Sequence, residues 1–230
     1  MMRALVLSDI HGEESQLRWM LEETWKMTGK IDGYFFLGDG VDDFAQAENF
    51  IRRRDPDALM LDVRGNNDFC CPNAPYYRVT DFGGVRLYLT HGHLERVKLT
   101  RSFLYERARE EKCDIAFYGH THEPDMVTGV PMLVNPGAVC REQMAMLEVE
   151  DGRPRVRGLV RVGAAVPSLA LGNVKENMKR HLAMMREAKE KHVSIVTFPE
   201  LSLTGYTCGD LFFQRRLLDD VTDALLTLKD

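Results

Sequence analysis

The sequence predicts an α/β fold over residues 1–158, followed by a second, partial βαβα segment over residues 159–230. In the first part, short apolar runs typical of buried strands alternate with stretches of helical spacing, the pattern of α/β proteins. Most of these runs end in a glycine beside Asp, Asn or His. After Gly158 the alternation of strand and helix starts again. We therefore expect two structural parts, with the polar strand ends of the first part carrying its chemistry.

Composition and charge exclude several classes of protein. The chain has 230 residues, 44% of them hydrophobic, and a net charge of −5, so we expect no stable nucleic-acid binding and no binding to anionic membranes. No apolar run reaches the ~18 residues of a membrane span, and the N-terminus lacks the pattern of a signal peptide. Five scattered cysteines, an odd number, fit reduced thiols. These features together predict a cytoplasmic location.

The first predicted strand, Ala4–Leu7, ends at a carboxylate and an imidazole. Asp9 and His11 lie two residues apart, so on an extended chain their side chains point the same way. That arrangement is half of a metal site. The alternative is that Asp9 caps the following helix, although Ser15 is better placed as its N-cap.

The second and third strands are Gly33–Leu37 and Ala58–Val63, and each ends at a further oxygen ligand. Asp39 stands between two glycines, and Asn66 follows Gly65. Ligands of open α/β sheets bind at the carboxyl ends of the strands, and an amide oxygen suits hard ions such as Mn²⁺. Each cluster taken alone is also compatible with ordinary turn chemistry.

Two later strands end in pairs of histidines. Val85–Thr90, the second strand of a predicted hairpin, precedes His91 and His93. A helix over 99–112 and a strand over 114–118 then lead to His120 and His122. Neutral imidazole suits transition metals, and the neighbouring glycines let the backbone approach a ligand closely.

Five of the seven histidines belong to these strand-end clusters. The other two, His181 and His192, lie on a later helical stretch and are expected to be surface residues. One such cluster is commonplace, but a series in this order favours a metal centre at the edge of a sheet.

The ordered motifs Asp9-x-His11, Gly38-Asp39, Gly65-Asn66-x-Asp68, His91-Gly92-His93 and Gly119-His120-x-His122 resemble those of the calcineurin-like metallophosphoesterases. The chain is similar to the small phosphodiesterase branch of that family, which also includes the retromer subunit Vps29. The resemblance covers about residues 2–160. It implies a two-sheet αββα sandwich of the metallophosphoesterase type, with two divalent metals at the strand ends.

The resemblance also assigns roles. It implies that Asp9, His11 and His122 hold one metal, that Asn66, His91 and His120 hold the other, and that Asp39 bridges both. Mixed imidazole and oxygen ligands suit Mn²⁺, our first expectation, as well as Ni²⁺, Fe²⁺, Co²⁺ or Zn²⁺. The implied activity is hydrolysis of small-molecule phosphodiesters through a hydroxide held by two metals.

One position departs from the family pattern. Many larger members have His directly after the ligand Asn, where it assists the leaving group, but this chain has Asn67. That difference implies weak protonation of the leaving group, and hence a preference for diesters or activated esters. His93 is expected either to contact substrate phosphate or donate a proton, or to act purely in support of the ligands. Asp68 is expected to orient His91 or its own loop.

The second part has the pattern strand, helix, strand, helix over residues 159–166, 173–191, 193–198 and 211–228. Its stretch 198–212 resembles the start of the nitrilase-type glutaminase domain of glutamine-dependent NAD synthetase, with Glu200 at the general-base position. Cys208 follows too soon to match the nucleophile, and no later Lys and Cys are present, so we expect no glutaminase activity.

Two alternatives to a phosphodiesterase remain open from the sequence. One is a protein-binding scaffold of the Vps29 type without turnover, and the other is the remnant of a fusion with NAD synthetase. A βαβα segment cannot bury both faces of its strands alone. A homo-oligomer formed through the second part is therefore possible.

Overall fold

The computed structural model describes residues 1–160, 162–191 and 193–229. The chain divides into two compact units, residues 1–159 and residues 160 onward. Across the described residues, no helix is long and apolar enough to cross a membrane.

The first unit alternates strands with helices and then closes with antiparallel strands. Its described elements are β1 (Met2–Leu7), α1 (Glu14–Met27), β2 (Gly33–Phe36), α2 (Val41–Arg54), β3 (Leu59–Asp62), β4 (Tyr77–Phe82), β5 (Val85–Thr90), α3 (Ser102–Glu110), β6 (Ile115–Phe117), β7 (Asp125–Val127), β8 (Met132–Asn135), a 3₁₀ turn (Val139–Arg141), β9 (Gln143–Glu150) and β10 (Arg153–Val160).

These strands form two five-stranded sheets, with the orders β10-β9-β1-β2-β3 and β4-β5-β6-β8-β7. Strands β1, β2 and β3 run parallel in the first sheet, and β5, β6 and β8 run parallel in the second. Their register aligns Leu7 with Phe36 and Leu89 with Phe117. The loops that follow these strands therefore leave from the same edge of each sheet.

The two sheets pack face to face between helices, in four layers. In β1, Ala4 and Val6 belong to the cluster that includes residues of both sheets, whereas Leu5 and Leu7 pack with residues of α1 and α2. The outer face of the second sheet packs on α3. Alternate residues of a strand point to opposite faces, so a strand buried on both sides must be apolar throughout. The two-sheet sandwich implied by the sequence motifs is confirmed.

The start of α1 differs from expectation. The helix begins at Glu14, so Ser15 lies within its first turn, and no side chain caps the N-terminus. The loop before it is held by backbone contacts, with the N–H groups of Asp9 and Ile10 donating to Gly38 and Asp39 carbonyls. The polar residues after β1 therefore remain available for another role.

The second unit contains β11 (Val162–Ala164), α4 (Val174–Glu190), β12 (Ile195–Thr197), a 3₁₀ segment (Tyr206–Phe213) and α5 (Arg215–Lys229). Strands β11 and β12 pair in parallel, and Asn173 caps α4 by accepting a hydrogen bond from the Glu176 N–H. The expected last helix is split, because Gln214 has an extended conformation between the 3₁₀ segment and α5.

The surface position expected for His181 is wrong. Its side chain is buried, accepts a hydrogen bond at Nε2 from the Ser202 hydroxyl at 2.8 Å, and donates from Nδ1 to the Asn177 carbonyl at 2.8 Å. Helical spacing placed this histidine on a helix but did not indicate which face the rest of the unit covers. His192 lies outside the described residues.

Candidate metal centre

Two groups of donor atoms lie at the strand ends of the first unit. Within each group, one nitrogen or oxygen atom of every side chain lies within 4.8 Å of the others. The groups are Asp9, His11 and His122, here called the first donor group, and Asp39, His91 and His120, which with Asn66 form the second donor group.

The first donor group joins the loop after β1 to the loop after β6. Nε2 of His122 lies 3.0 Å and Nε2 of His11 lies 3.6 Å from Asp9 Oδ1, and the two imidazole nitrogens are 3.2 Å apart. Asp9 Oδ1 is buried, yet despite these short distances no contact has hydrogen-bond geometry. A buried carboxylate oxygen facing two imidazole nitrogens in this way is the arrangement of a cation site.

The second donor group joins the loops after β2, β3, β5 and β6. Nε2 of His91 lies 3.1 Å from Asn66 Oδ1, 3.2 Å from His120 Nδ1 and 3.5 Å from Asp39 Oδ2. Nδ1 of His91 lies 2.8 Å from the Leu37 carbonyl, which can only accept, so Nδ1 carries a proton. In the neutral ring, Nε2 then presents a lone pair towards other acceptors, as a metal-ligating histidine does.

Asp39 lies between the two groups. Its Oδ2 atom is 3.5 Å from His91 Nε2 and 3.8 Å from His11 Nε2, so one carboxylate faces a histidine of each group. Carboxylate, amide and imidazole donors together suit divalent transition ions. The residues present fit the metals implied by the sequence motifs, with Asp39 in the position of a bridging ligand.

The backbone at these residues adopts an uncommon conformation. Asp9, His11, Asp39, His120 and His122 have φ values of 56°, 51°, 60°, 69° and 59°. Residues other than glycine rarely adopt this left-handed region, and such strain concentrates at functional sites. The tight turns that direct the donor atoms inward therefore carry a conformational cost that the surrounding packing sustains.

Glycines at the strand ends allow the loops to approach one another. A Cβ atom on Gly119 would lie 1.9 Å from Ser8 Oγ, and a Cβ on Gly65 would lie 2.1 Å from Asp39 Oδ1. Ser8 Oγ in turn donates to Asp9 Oδ2 at 2.5 Å. The absence of a side chain at these two positions is what leaves room for the carboxylates.

Asp68 holds the loop that carries Asp39. Its carboxylate accepts hydrogen bonds of 2.7–3.0 Å from the backbone N–H groups of Asp39, Gly40, Val41 and Gly65. The sequence-based alternative that Asp68 orients its loop is therefore correct, whereas His91 is oriented by a main-chain carbonyl.

The electrostatics of the site favour charged carboxylates. Burial opposes ionisation of Asp39, but His91 and the two hydrogen bonds from Asn67 outweigh it and lower the pKa of Asp39 to about 2. The pKa of Asp9 is lowered further, against burial, by His11, His122, His91 and Ser8. Burial and the nearby His91 lower the pKa of His120 to about 4, so this imidazole is neutral and available as a ligand.

Asn67 and His93, the predicted catalytic residues, lie beside the second donor group. The Asn67 backbone N–H and Nδ2 donate to Asp39 at 2.8 and 2.6 Å, so Asn67 orients that carboxylate. The His93 ring centroid is 5.4 Å from that of His91 and 6.2 Å from that of His120. Burial and His91 lower the pKa of His93, which favours its neutral form. Their contact with substrate stays a prediction, as does metal binding by the donor groups.

Three supporting residues were missed by sequence reasoning. Ser8 bonds Asp9, Asn135 donates from Nδ2 to the Gly119 carbonyl at 3.0 Å, and Tyr76 lies against His93 with ring centroids 5.8 Å apart. Ser8 and Asn135 directly precede or follow buried strand residues, which is a usable signal. Tyr76 carries none, because its neighbours come from another loop.

A double-sheet sandwich with carboxylate and imidazole donors at its strand ends defines a metallophosphoesterase-type protein. The profile of the calcineurin-like phosphoesterase superfamily domain matches residues 2–152. The chain belongs to this superfamily, whose members are metal-dependent.

Individual relatives agree with this assignment. The chain is 27% identical over 176 residues to the Bacillus subtilis protein named "Probable metallophosphoesterase YsnB", covering 73% of this chain and 96% of that one. A conserved phosphoesterase-like protein of Streptococcus pneumoniae has a similar structure, with a TM-score of 0.54 and 27% identity, over 69% of this chain and 88% of that chain.

Two more distant structures share the fold alone. An archaeal phosphodiesterase has a TM-score of 0.53 and 21% identity, over 69% of this chain and all of that one. Vps29 of Entamoeba histolytica, solved in complex with Zn²⁺, has a TM-score of 0.50 and 20% identity, over 69% of this chain and 98% of that one.

The second unit has a different partial relative. Over 71 residues the chain is 39% identical to glutamine-dependent NAD(+) synthetase of Mycobacterium tuberculosis, which is 31% of this chain but 10% of that enzyme. The strand and helix order agrees with the sequence pattern. A nitrilase-like fold for this unit stays a prediction.

Proposed function

We propose that this protein is a metal-dependent phosphodiesterase that hydrolyses small-molecule phosphodiesters. The observation that carries the proposal is the pair of donor groups, in which buried acceptor atoms face one another with Asp39 between them. An arrangement of like acceptors is stabilised by divalent cations and is costly without them. Membership of the calcineurin-like superfamily supports the same reaction class.

In this proposal each donor group holds one divalent ion, with Mn²⁺ as the first candidate. The ligands are Asp9, His11 and His122 for one ion, Asn66, His91 and His120 for the other, and Asp39 for both. Two bound ions polarise the phosphoryl group and activate water for attack at neutral pH. The chain contributes by fixing the ligands, through Asp68 on one loop and Asn135 on another.

The proposed work of the remaining residues concerns the substrate. Asn67 keeps Asp39 oriented and offers no acidic proton to a leaving group. His93, neutral because of its lowered pKa, is suited to donate a hydrogen bond to a phosphate oxygen. Without a strong general acid, the site favours leaving groups that depart as stable anions, such as aryl oxides.

The test is hydrolysis of bis(p-nitrophenyl) phosphate by metal-stripped protein, with and without added Mn²⁺. We expect turnover only with metal, and a loss of about 100-fold or more in Asp39→Ala, because the bridging carboxylate is removed. Asp57→Ala, at an exposed aspartate, is the matched control and should retain full activity. Absence of turnover with Mn²⁺, Ni²⁺, Co²⁺, Fe²⁺ and Zn²⁺ alike contradicts the proposal.

Structural similarity to Vps29 favours one alternative, a protein-binding scaffold without turnover. Metal binding does not separate the two functions, because a Vps29 structure contains Zn²⁺. Turnover does separate them, so the same assay decides. The partial match to NAD synthetase supports a fusion remnant for the second unit, for which we expect no release of ammonia from glutamine.

A further inference from the structure

We propose that Tyr76, Arg64 and His93 form a nucleoside-binding subsite beside the second donor group. The inference rests on the proposed phosphodiesterase function and names its substrate class: phosphodiesters in which one arm is a nucleoside. Neither Tyr76 nor Arg64 has a role in the metal centre described above.

The first observation is a continuous row of rings that leads outward from the metal centre. Ring centroids are 5.0 Å apart between His120 and His91, 5.4 Å between His91 and His93, and 5.8 Å between His93 and Tyr76. Tyr76 at the outer end is 45% exposed. A substrate whose phosphate lies at the second donor group therefore has an aromatic wall beside one of its arms.

The second observation is a guanidinium group held at the end of this row. The Arg64 side chain lies over the Tyr76 ring, with its Cζ 5.4 Å from the centroid, and its Nε donates to the Asp68 carbonyl at 3.1 Å. Its two terminal amino groups make no hydrogen bond or ion pair with any residue that the structure describes. The side chain is therefore fixed at its inner end, with donors left to offer.

Aromatic rings and a fixed guanidinium together match the chemistry of a nucleobase. Bases stack on tyrosine rings and on guanidinium planes, and their ring nitrogen and carbonyl acceptors pair with arginine N–H groups. A methyl or other small alkyl arm has neither a π-face nor acceptors. The subsite should therefore distinguish nucleoside arms from alkyl arms.

The experiment compares two substrates that release the same p-nitrophenolate, thymidine 5′-(p-nitrophenyl phosphate) and methyl p-nitrophenyl phosphate. We expect wild-type protein with Mn²⁺ to prefer the thymidine ester in kcat/KM. Tyr76→Ala should reduce that preference about tenfold, mainly through KM, as expected for the loss of one base-stacking contact. Arg64→Met should reduce it as well, because the hydrogen-bond donors are lost.

Tyr77→Ala is the matched control. Tyr77 is the next residue and is also 45% exposed, but its ring stacks on Tyr88 at 5.4 Å, away from His93. It should leave the substrate preference unchanged. An equal loss in Tyr76→Ala and Tyr77→Ala, or no preference in the wild type, overturns the subsite.

A binding measurement separates failure of the subsite from failure of the proposed function. If no ester is hydrolysed, calorimetric titration with thymidine 5′-monophosphate and with methyl phosphate still reports the preference. Tighter binding of the nucleotide that is lost in Tyr76→Ala supports the subsite without turnover. Equal affinity for the two phosphates refutes it.

Discussion

Replacing Gly65 by Ala should disable the metal centre through one added methyl group. Gly65 has no positive φ, so alanine is compatible with its backbone, and the whole cost arises from contacts. The new Cβ would lie 2.1 Å from Asp39 Oδ1 and 2.4 Å from Asp39 N. Because ordinary Cβ contacts begin near 3.4 Å, the carboxylate and its turn must move by about 1 Å, a shift that costs about 100-fold in well-aligned sites.

Overpacking of this kind destabilises by about 1–3 kcal/mol, and each kcal/mol lowers Tm by about 2–4 °C in a chain of this size. Calorimetric titration with Mn²⁺ and thermal unfolding would measure both effects. Gly158→Ala is the matched control, since a Cβ there meets nothing within 4 Å and its φ is not positive. Unchanged Mn²⁺ affinity in Gly65→Ala would refute the argument that this close approach positions Asp39.

Two further predictions concern stability. Asp68→Ala removes the acceptor of four backbone N–H groups and should lower the free energy of unfolding by about 2–4 kcal/mol in urea denaturation, whereas Asp57→Ala should change it little. In metal-free protein, folding lowers the pKa of Asp39 from 3.8 to about 2, so its stabilisation of about 2 kcal/mol is present above pH 4 and disappears as the pH falls towards 2. Urea denaturation from pH 5 to pH 2 should show this loss in the wild type, and a flatter profile in Asp39→Asn; parallel profiles would contradict it.

Much of the fold and of the candidate site could be predicted because both depend on short-range patterns. Apolar runs with glycine and a polar residue at their ends located the parallel strands, and Asp9 and His11 followed from a spacing of two residues. The assignment of Ser15 as an N-cap failed because the chain before α1 is fixed by backbone contacts with the next strand's loop. His181 was misplaced because burial depends on what packs over a helix.

The sequence by itself determined the identity of the donor side chains, the strand ends that carry them and the family to which the chain belongs. Only the tertiary structure decided which donors meet. Asp9 faces His122 because β1 and β6 lie in different sheets whose ends converge, and no local pattern encodes a contact between loops so distant in the chain. The same holds for Tyr76 against His93 and for Gly65 against Asp39. These contacts arise from the packing of whole sheets, in which each distance depends on many side chains at once.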